Sequence, residues 1–274
     1  METVGFLGGD ARMAYLARMM ADDGYAVSSW CLQGAPNETT PSEAMAAKRI
    51  VLPVPLQKEG KLNGTKLPLG ELWPRLRAEQ RIYAGAVSAA AREQTALLGL
   101  RVKDYYTDEA LTVKNAVVTA EGAVQTAMEC LPVTLQGTPC LVIGFGRIGK
   151  LLSHSLAALD ARVSVSARRF DDFAWIDAFG HRALHTERLD GKLSGFRVIF
   201  NTVPHMVLTA PLLSQLRRDC VLIELASLPG VDEAAAREQK LNYIKANGLP
   251  GKTAPETAAL ALKETLYRIW EEET

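Results

Sequence analysis

Val142-Ile143-Gly144-Phe145-Gly146-Arg147-Ile148-Gly149 decides the fold: an apolar strand end runs into Gly-x-Gly-x-x-Gly and then opens a helix. The three glycines have separate jobs. Gly144 allows the tight turn off the strand, Gly146 lets a pyrophosphate approach the backbone, and Gly149 lets the new helix pack closely on the sheet. The anion then sits at the helix N-terminus, where N–H groups and the helix dipole favour negative charge. The fingerprint alone is weak, and a purely structural glycine turn is the alternative. Its context favours dinucleotide binding, because apolar Cys140-Leu141-Val142-Ile143 precedes it and amphipathic Lys150–Leu156 follows. Phe145, Arg147 and Ile148 complete the turn.

The flanking sequence tells which cofactor fits. A chain that binds NAD ends its second strand in Asp or Glu, which takes the ribose hydroxyls. Here that strand is Arg162-Val163-Ser164-Val165-Ser166, and it ends in Ala167-Arg168-Arg169. Ser166, Arg168 and Arg169 stand where a 2′-phosphate would lie, and the forked, permanently charged guanidinium suits phosphate. NADP is therefore expected over NAD. The alternative leaves both arginines solvated and gives the ribose to Asp171 or Asp172. Further on, Asn201-Thr202-Val203-Pro204 closes another strand. Ligands of such sheets lie outside the carboxyl ends of the strands, which puts Thr202, Val203 and Pro204 on the nicotinamide side. His205 follows as a candidate proton relay, or as an ordinary loop histidine.

The rest of the chain repeats the strand–helix alternation. Thr3–Asp10 reads as a strand entering a glycine turn, followed by a helix from Ala11 to Asp23. Tyr25–Leu32, Arg49–Pro53, Ile82–Val87 and Leu100–Tyr105 read as further strands, and polar Gln57–Leu69 as an exposed loop. A helix is expected from Thr107 or Asp108 to Leu131, with a break or a close contact at Gly122. The second half reads as strand 140–143, helix 147–159, strand 162–167, helix 171–179, strand 198–202, helix 209–217, strand 220–225 and a short strand near 243–246. Leu260, Leu262, Leu266, Ile269 and Trp270 have helical spacing and predict one buried face for residues 255–272. The expected fold is α/β: two Rossmann-like parallel-sheet domains, doubly wound and separated by a cleft. Residues 1–127 form the first, with helix 255–272 a candidate to pack back on it. Residues 128–254 form the second.

The chain has 274 residues, 48% of them hydrophobic, with 31 basic and 31 acidic side chains and a formal net charge of zero. That balance argues against nucleic acid and membrane surfaces as partners. Met1-Glu2-Thr3-Val4-Gly5 lacks the basic stretch of a signal peptide, and a cytoplasmic location is expected. Cys31, Cys130, Cys140 and Cys220 are widely spaced in apolar stretches and read as buried free thiols. The four histidines are not at metal-site spacing, so no metal is expected.

With these residues assembled, the chain resembles the dipicolinate synthase A-subunit family of endospore-forming bacteria along nearly its whole length. The landmarks are Gly8-Gly9-Asp10-x-Arg12, Asn115-Ala116-x-x-Thr119-Ala120-Glu121-Gly122, the glycine turn, Ala167-Arg168 and Asn201-Thr202-x-Pro204. Glu224-Leu225-Ala226-Ser227-x-Pro229-Gly230 with Asp232, and Gly248-Leu249-Pro250-Gly251-Lys252-x-Ala254-Pro255-x-Thr257-Ala258, complete the set. Two positions depart from the expected pattern: Glu224 replaces an Asp, and Val231 replaces a second glycine. The resemblance implies oxidation of dihydrodipicolinate to pyridine-2,6-dicarboxylate with a nicotinamide cofactor, in the mother cell of a sporulating bacterium. It also implies a flavoprotein-like second subunit. Further copies of this chain are expected as partners too.

A small ring dianion needs cationic and N–H donors, for which bidentate Arg is the natural clamp. Arg12 is the first candidate, in the turn after Gly8-Gly9-Asp10, and an exposed helix charge is its alternative reading. Asp10 caps the helix or orients Arg12. The Gly8-Gly9 turn lacks the third glycine of a dinucleotide site and reads as substrate-facing. Lys114, Asn115, Thr119 and Glu121 fall on the segment joining the domains, with Asn115 and Thr119 on one helical face. Asn115 and Thr119 are substrate-binding candidates. Glu121 is a candidate base or a structural ion-pair member. Ser227 and Lys252, each beside a Pro-Gly turn, complete the substrate set, though Lys252 also reads as a solvated loop lysine. Two other readings stay open. One is a dehydrogenase of 2-hydroxy or 2-amino acids; the other is a non-catalytic NADP- and substrate-binding subunit that needs a partner.

Overall fold

The structure is a computed structural model and describes residues 2–273. Two compact units divide the chain. Unit 1 takes the residues up to Asn115 and those from Pro250 onward; unit 2 is Ala116–Leu249.

Unit 1 runs β1 (Thr3–Leu7), α1 (Ala11–Asp22), β2 (Ala26–Trp30), α2 (Pro41–Met45), β3 (Arg49–Val51), β4 (Gln57–Lys58), β5 (Lys61–Leu62), α3 (Leu69–Leu72), β6 (Arg81–Ala84), α4 (Ala89–Leu97) and β7 (Val102–Asp104). Helix α5 (Glu109–Cys130) begins in unit 1 and ends in unit 2. Unit 2 continues with β8 (Pro139–Ile143), α6 (Arg147–Ala158), β9 (Arg162–Ala167), α7 (Phe170–Ala178), β10 (Arg182–His185), β11 (Val198–Asn201), α8 (Ala210–Leu213), β12 (Val221–Glu224), α9 (Glu233–Glu238) and β13 (Asn242–Lys245). The chain then enters α10 (Leu249–Thr253) and ends in α11 (Pro255–Glu272).

Both main sheets are parallel. Unit 1 has the order β2-β1-β3-β6-β7, and unit 2 has β10-β9-β8-β11-β12-β13. In each, the chain winds outward from its first strand, first to one side and then to the other. Such winding leaves a switch point, where strand ends open a crevice for ligands. It lies beside β1 and β3 in unit 1, and beside β8 and β11 in unit 2.

The strand sequences show why both sheet faces are covered. β11 (Val-Ile-Phe-Asn) and β12 (Val-Leu-Ile-Glu) are buried at every position, as a sheet with helices on both sides requires. Side chains alternate across the sheet. Val142, Val198, Phe200, Val221 and Ile223 therefore join one core, while Leu141, Ile143, Ile199 and Leu222 join another. Unit 1 divides likewise, with Val4, Phe6, Val51 and Tyr83 on one side and Leu7, Ile50, Ile82 and Ala84 on the other.

Helix α11 supplies Ala259, Leu262, Leu266, Ile269 and Trp270 to the core that holds Met13, Leu16, Ala17 and Met20 of α1. Leu260 departs from expectation: it is 48% exposed, one step off this stripe. The helix end is tied as well. Lys263 Nζ lies 2.5 Å from Asp23 Oδ2, and Tyr267 Oη donates to the same oxygen at 2.6 Å. Those hydrogen bonds, Lys263's first, hold the Asp23 carboxyl below the usual carboxylate range. A depressed carboxylate stabilises the fold above its unfolded pKa, and that contribution is lost as pH falls through the folded value. Asp23→Asn is expected to cost up to about 1 kcal/mol at neutral pH, the ordinary worth of a partly exposed pair. Urea melts of both proteins check this: the gap should close as the pH falls below about 4, the ordinary Asp value.

Other expectations are corrected by the structure. Gln57–Leu69 is not simply an exposed loop: it forms the β4–β5 hairpin, with Leu62 fully buried. Cys31 is exposed in the turn after β2, whereas Cys140 and Cys220 are buried. The 209–217 helix is only α8, and β10 adds a strand between α7 and β11 where none is expected. Helix α5 passes through Gly122 without a break, while its start is as expected, with Asp108 capping it by accepting from Leu111 N at 2.9 Å. Among the described residues no helix is long and apolar enough to cross a membrane.

Candidate functional site

In unit 2 the glycine turn leaves β8 at the switch point. Gly144 has φ +99°, a conformation that L side chains rarely adopt. A Cβ there would stand 2.5 Å from Thr202 Oγ1 and 2.8 Å from Val203 Cγ2. A Cβ on Gly149 would lie 2.1 Å from the Gly144 carbonyl oxygen, so only glycine lets α6 start this close to the strand. Gly146 is the opposite case. It is the N-cap of α6, no side chain caps that helix start, and among the described residues no atom beyond its own chain neighbours lies within 4 Å of where its Cβ would be. Two glycines are thus demanded by the protein's own packing, and the third faces open space at a helix start. That arrangement fits a pyrophosphate. Gly146 and Arg147 are exposed, Ile148 is half-buried, and Phe145 turns inward to the core.

The neighbouring strands complete this end of the sheet. Ser166 is fully buried; its carbonyl accepts from Gly144 N at 2.9 Å, and its hydroxyl accepts from Thr186 Oγ1 at 3.1 Å. Thr186, at the tip of β10, is a site neighbour that the sequence pattern does not announce, just as it does not announce the strand. Arg168 and Arg169 are exposed beyond β9, and Arg169 pairs with Asp171 at 3.1 Å. At the end of β11, Thr202 N and Oγ1 both donate to the Ile143 carbonyl at 2.9 Å, which binds this loop to the glycine turn. Val203 is half-buried, and Pro204 and His205 are exposed.

In unit 1 a second network occupies the β1/β3 switch point. Asp10 caps α1 by accepting from Arg12 N at 3.1 Å. Its carboxylate also takes Arg12 Nε at 3.0 and 3.1 Å and Nη2 at 2.7 Å. Arg12 Nη2 donates further to the Val54 carbonyl at 2.7 Å, and Nη1 reaches Asn115 Oδ1 at 3.5 Å. Asn115 Nδ2 in turn donates to Tyr106 Oη at 3.0 Å. Arg12 is therefore not the open bidentate clamp that the residue type suggests. Its forked edge faces Asp10, two residues away, and its side chain is only 6% exposed. The start of α10 also belongs here, since a Cβ on Gly251 would stand 2.5 Å from Asp10 Oδ2. Gly9 N donates to the Asn63 carbonyl at 2.8 Å, so the β4–β5 hairpin takes the amide that a phosphate would need.

The structure thus joins Asp10, Arg12 and Asn115 in one unit. In the other it joins Gly144, Gly149, Ser166, Thr202 and Val203. Thr119 is buried on α5. Glu121, Ser227 and Lys252 are exposed and, like His205, lie outside both networks. Among the described residues no three His, Cys, Asp or Glu side chains gather as a metal site.

Two parallel doubly wound units, one with the β10-β9-β8-β11-β12-β13 order and a glycine turn at its switch point, define a protein of the two-domain dehydrogenase fold. The D-lactate dehydrogenase of Escherichia coli shares that fold, with a TM-score of 0.66 at 14% identity over 99% of this chain and 96% of that one. Residues 3–106 match the family model described as the N-terminal domain of the dipicolinate synthase A-subunit. The dipicolinate synthase A-subunit of Bacillus halodurans superposes with a TM-score of 0.86 at 25% identity, covering 98% of this chain and 97% of that one. The dipicolinate synthase A-subunit of Bacillus subtilis strain 168 is 30% identical over 189 residues. That alignment takes in 69% of this chain and 64% of the relative, a little under two thirds of its length. The chain belongs to the dipicolinate synthase A-subunit family.

Proposed function

We propose that this chain oxidises dihydrodipicolinate to dipicolinate, with NADP as hydride acceptor, as one component of a sporulation enzyme. The observation that carries the reading is the glycine turn of unit 2, whose packing demands Gly144 and Gly149 and leaves Gly146 open at the start of α6. Family membership supports the substrate. The nicotinamide supplies one thing when bound, an acceptor for hydride from a ring carbon. Gly144–Gly149 hold the pyrophosphate and Arg168 and Arg169 the ribose phosphate, while fully buried Ser166 holds the Gly144 amide rather than the ligand, and Thr202, Val203 and Pro204 line the nicotinamide side. In unit 1 the Arg12 cation, fixed by Asp10 and Val54, turns Nη1 toward Asn115 across the longest contact of its set. That is the donor edge readiest to exchange for a substrate carboxylate oxygen. Asn115, Thr119, Ser227 and Lys252 are further candidates for the dianion, and His205 or Glu121 for the ring proton. Product aromaticity lightens the demand on any base, so positioning carries most of the catalysis.

One observation favours a second reading, a binding subunit that needs its flavoprotein-like partner. Arg12 has its forked edge engaged by Asp10. The test is turnover of freshly generated dihydrodipicolinate with NADP⁺, with NAD⁺ and with neither, each with and without the partner protein. Stoichiometric NADPH and dipicolinate from this chain alone support the first reading. Product that forms only with the partner, and without nicotinamide reduction, supports the second.

The cofactor choice is testable separately. Arg168→Ala is expected to weaken NADPH about tenfold while leaving NADH within about twofold, the scale of one charge-assisted hydrogen bond. Equal weakening of both in a fluorescence titration would remove the phosphate clamp.

A further inference from the structure

Glu224 ends β12 with no exposed surface, and its carboxylate is surrounded by donors. Oε1 accepts from Asn201 Nδ2 at 2.8 Å and from Ala226 N at 3.1 Å, and Oε2 accepts from Gly230 N at 2.9 Å. Asn201 stands beside it in register at the end of β11. Asn201 grips the next turn from both sides, donating to Val203 O at 3.0 Å and accepting from Val203 N at 3.2 Å. The Gly230 carbonyl then accepts from Val207 N and Leu208 N at 2.9 and 3.0 Å, which sews the two loops together. Gly230 is packed so closely that a Cβ would stand 2.1 Å from Asn201 Nδ2.

Burying a carboxylate is costly unless its lone pairs are satisfied. Burial pushes the Glu224 carboxyl above its ordinary range, and the Gly230, Asn201 and Ala226 hydrogen bonds pull it back in part. All three partners are N–H donors, so the carboxylate satisfies them and an amide does not. What the carboxylate fixes is two loops at the carboxyl ends of β11 and β12. One carries Thr202 to His205, and the other carries Ser227.

We propose that Glu224 is a positioning residue of the dinucleotide site, holding the loops after β11 and β12 in one arrangement through Asn201 and the Ala226 and Gly230 amides. The inference rests on the reading of unit 2 as a dinucleotide site. Its chain of contacts runs from Glu224 through Asn201 to Val203, whose side chain lies against Gly144. Because the fixed loops face the nicotinamide half, their loosening should spare the adenosine half.

Two ligands separate this role from a merely structural one: the nicotinamide dinucleotide that the wild type binds more tightly, and the matching ADP-ribose fragment without nicotinamide. In the full-length protein, Glu224→Gln places an NH₂ against N–H donors. It is expected to weaken the dinucleotide about tenfold or more while leaving the fragment within about twofold. Bound NADPH or NADH should also lose part of its emission enhancement. Gly230→Ala, whose methyl would press on Asn201 Nδ2 and the Val203 carbonyl oxygen while keeping the Glu224 side chain, should give the same selective loss. Unchanged dinucleotide affinity in both variants, or equal weakening of dinucleotide and fragment, overturns the proposal. A wild type that binds neither ligand instead overturns the dinucleotide reading itself.

Discussion

Gly149→Ala is expected to abolish useful cofactor binding, the largest single effect in unit 2. The added methyl would meet the Gly144 carbonyl oxygen at 2.1 Å and its carbon at 2.9 Å. These are backbone atoms, and Gly144 is itself held at both ends. Its N–H donates to Ser166, and its Cα face lies against Thr202 and Val203. The strain has only one outlet, which is to lift the start of α6 off the strand. Overpacking of this kind costs about 1–3 kcal/mol of stability. On the proposed reading the same displacement moves the helix start that would face the pyrophosphate, so affinity for the nicotinamide dinucleotide should fall by roughly a hundredfold, about 2.7 kcal/mol. Thermal melts and NADPH titration measure the two losses separately. An alanine variant that binds NADPH normally would mean that the glycine turn is architectural only.

Arg12→Ala is expected to have the largest effect in unit 1. Removing the guanidinium strips Asp10 of its ion-pair partner and the Val54 carbonyl of its donor. Breaking a fully buried pair costs about 3–5 kcal/mol; Asp10 is about one-third exposed, so about 2 kcal/mol is the fitting scale. If Arg12 also meets the substrate dianion, kcat/KM should drop by roughly a hundredfold or more, as when a buried charged partner is truncated. Affinity for the nicotinamide dinucleotide should stay within about twofold, because the Arg12 network and the glycine turn share no residue. Arg12→Lys keeps the charge but loses the fork, and it should recover stability better than turnover. Normal turnover in Arg12→Ala removes Arg12 from the site. Loss of turnover with recovery in Arg12→Lys would leave charge alone as its contribution.

The parts of the fold legible in the sequence are those written locally. The glycine turn declares itself in eight consecutive residues, and the apolar runs Val198–Phe200 of β11 and Val221–Ile223 of β12 announce a covered sheet. The stripe on α11 is readable by period, yet Leu260 shows that one apolar residue beside a stripe need not belong to it. β10 is not legible because Ala183 and Leu184 are its only apolar residues, and its pairing with β9 is a tertiary fact. The site is legible as residue types but not as connections. Arg12 reaches a carbonyl 42 positions away, and Asn201 meets a carboxylate 23 positions away. Asp10 reads correctly as a cap and orienter because both roles need only a two-residue separation. The engagement of the Arg12 fork escapes the sequence because its geometry depends on how the Gly8-Gly9 turn aims α1.

The interrupted course of unit 1 has a consequence for how the chain is made. Unit 2 is one uninterrupted stretch and can close as soon as it has left the ribosome. Unit 1 is begun first, yet one wall of its core is α11, which follows all of unit 2 in the sequence. Domains usually fold in the order of their synthesis, and here that order is inverted. Until α11 is released, the core that holds Met13, Leu16 and Met20 of α1 lacks that wall. The nascent protein therefore acquires its glycine turn before the core of unit 1 is complete, and that later step is the one that aggregation and proteolysis would intercept.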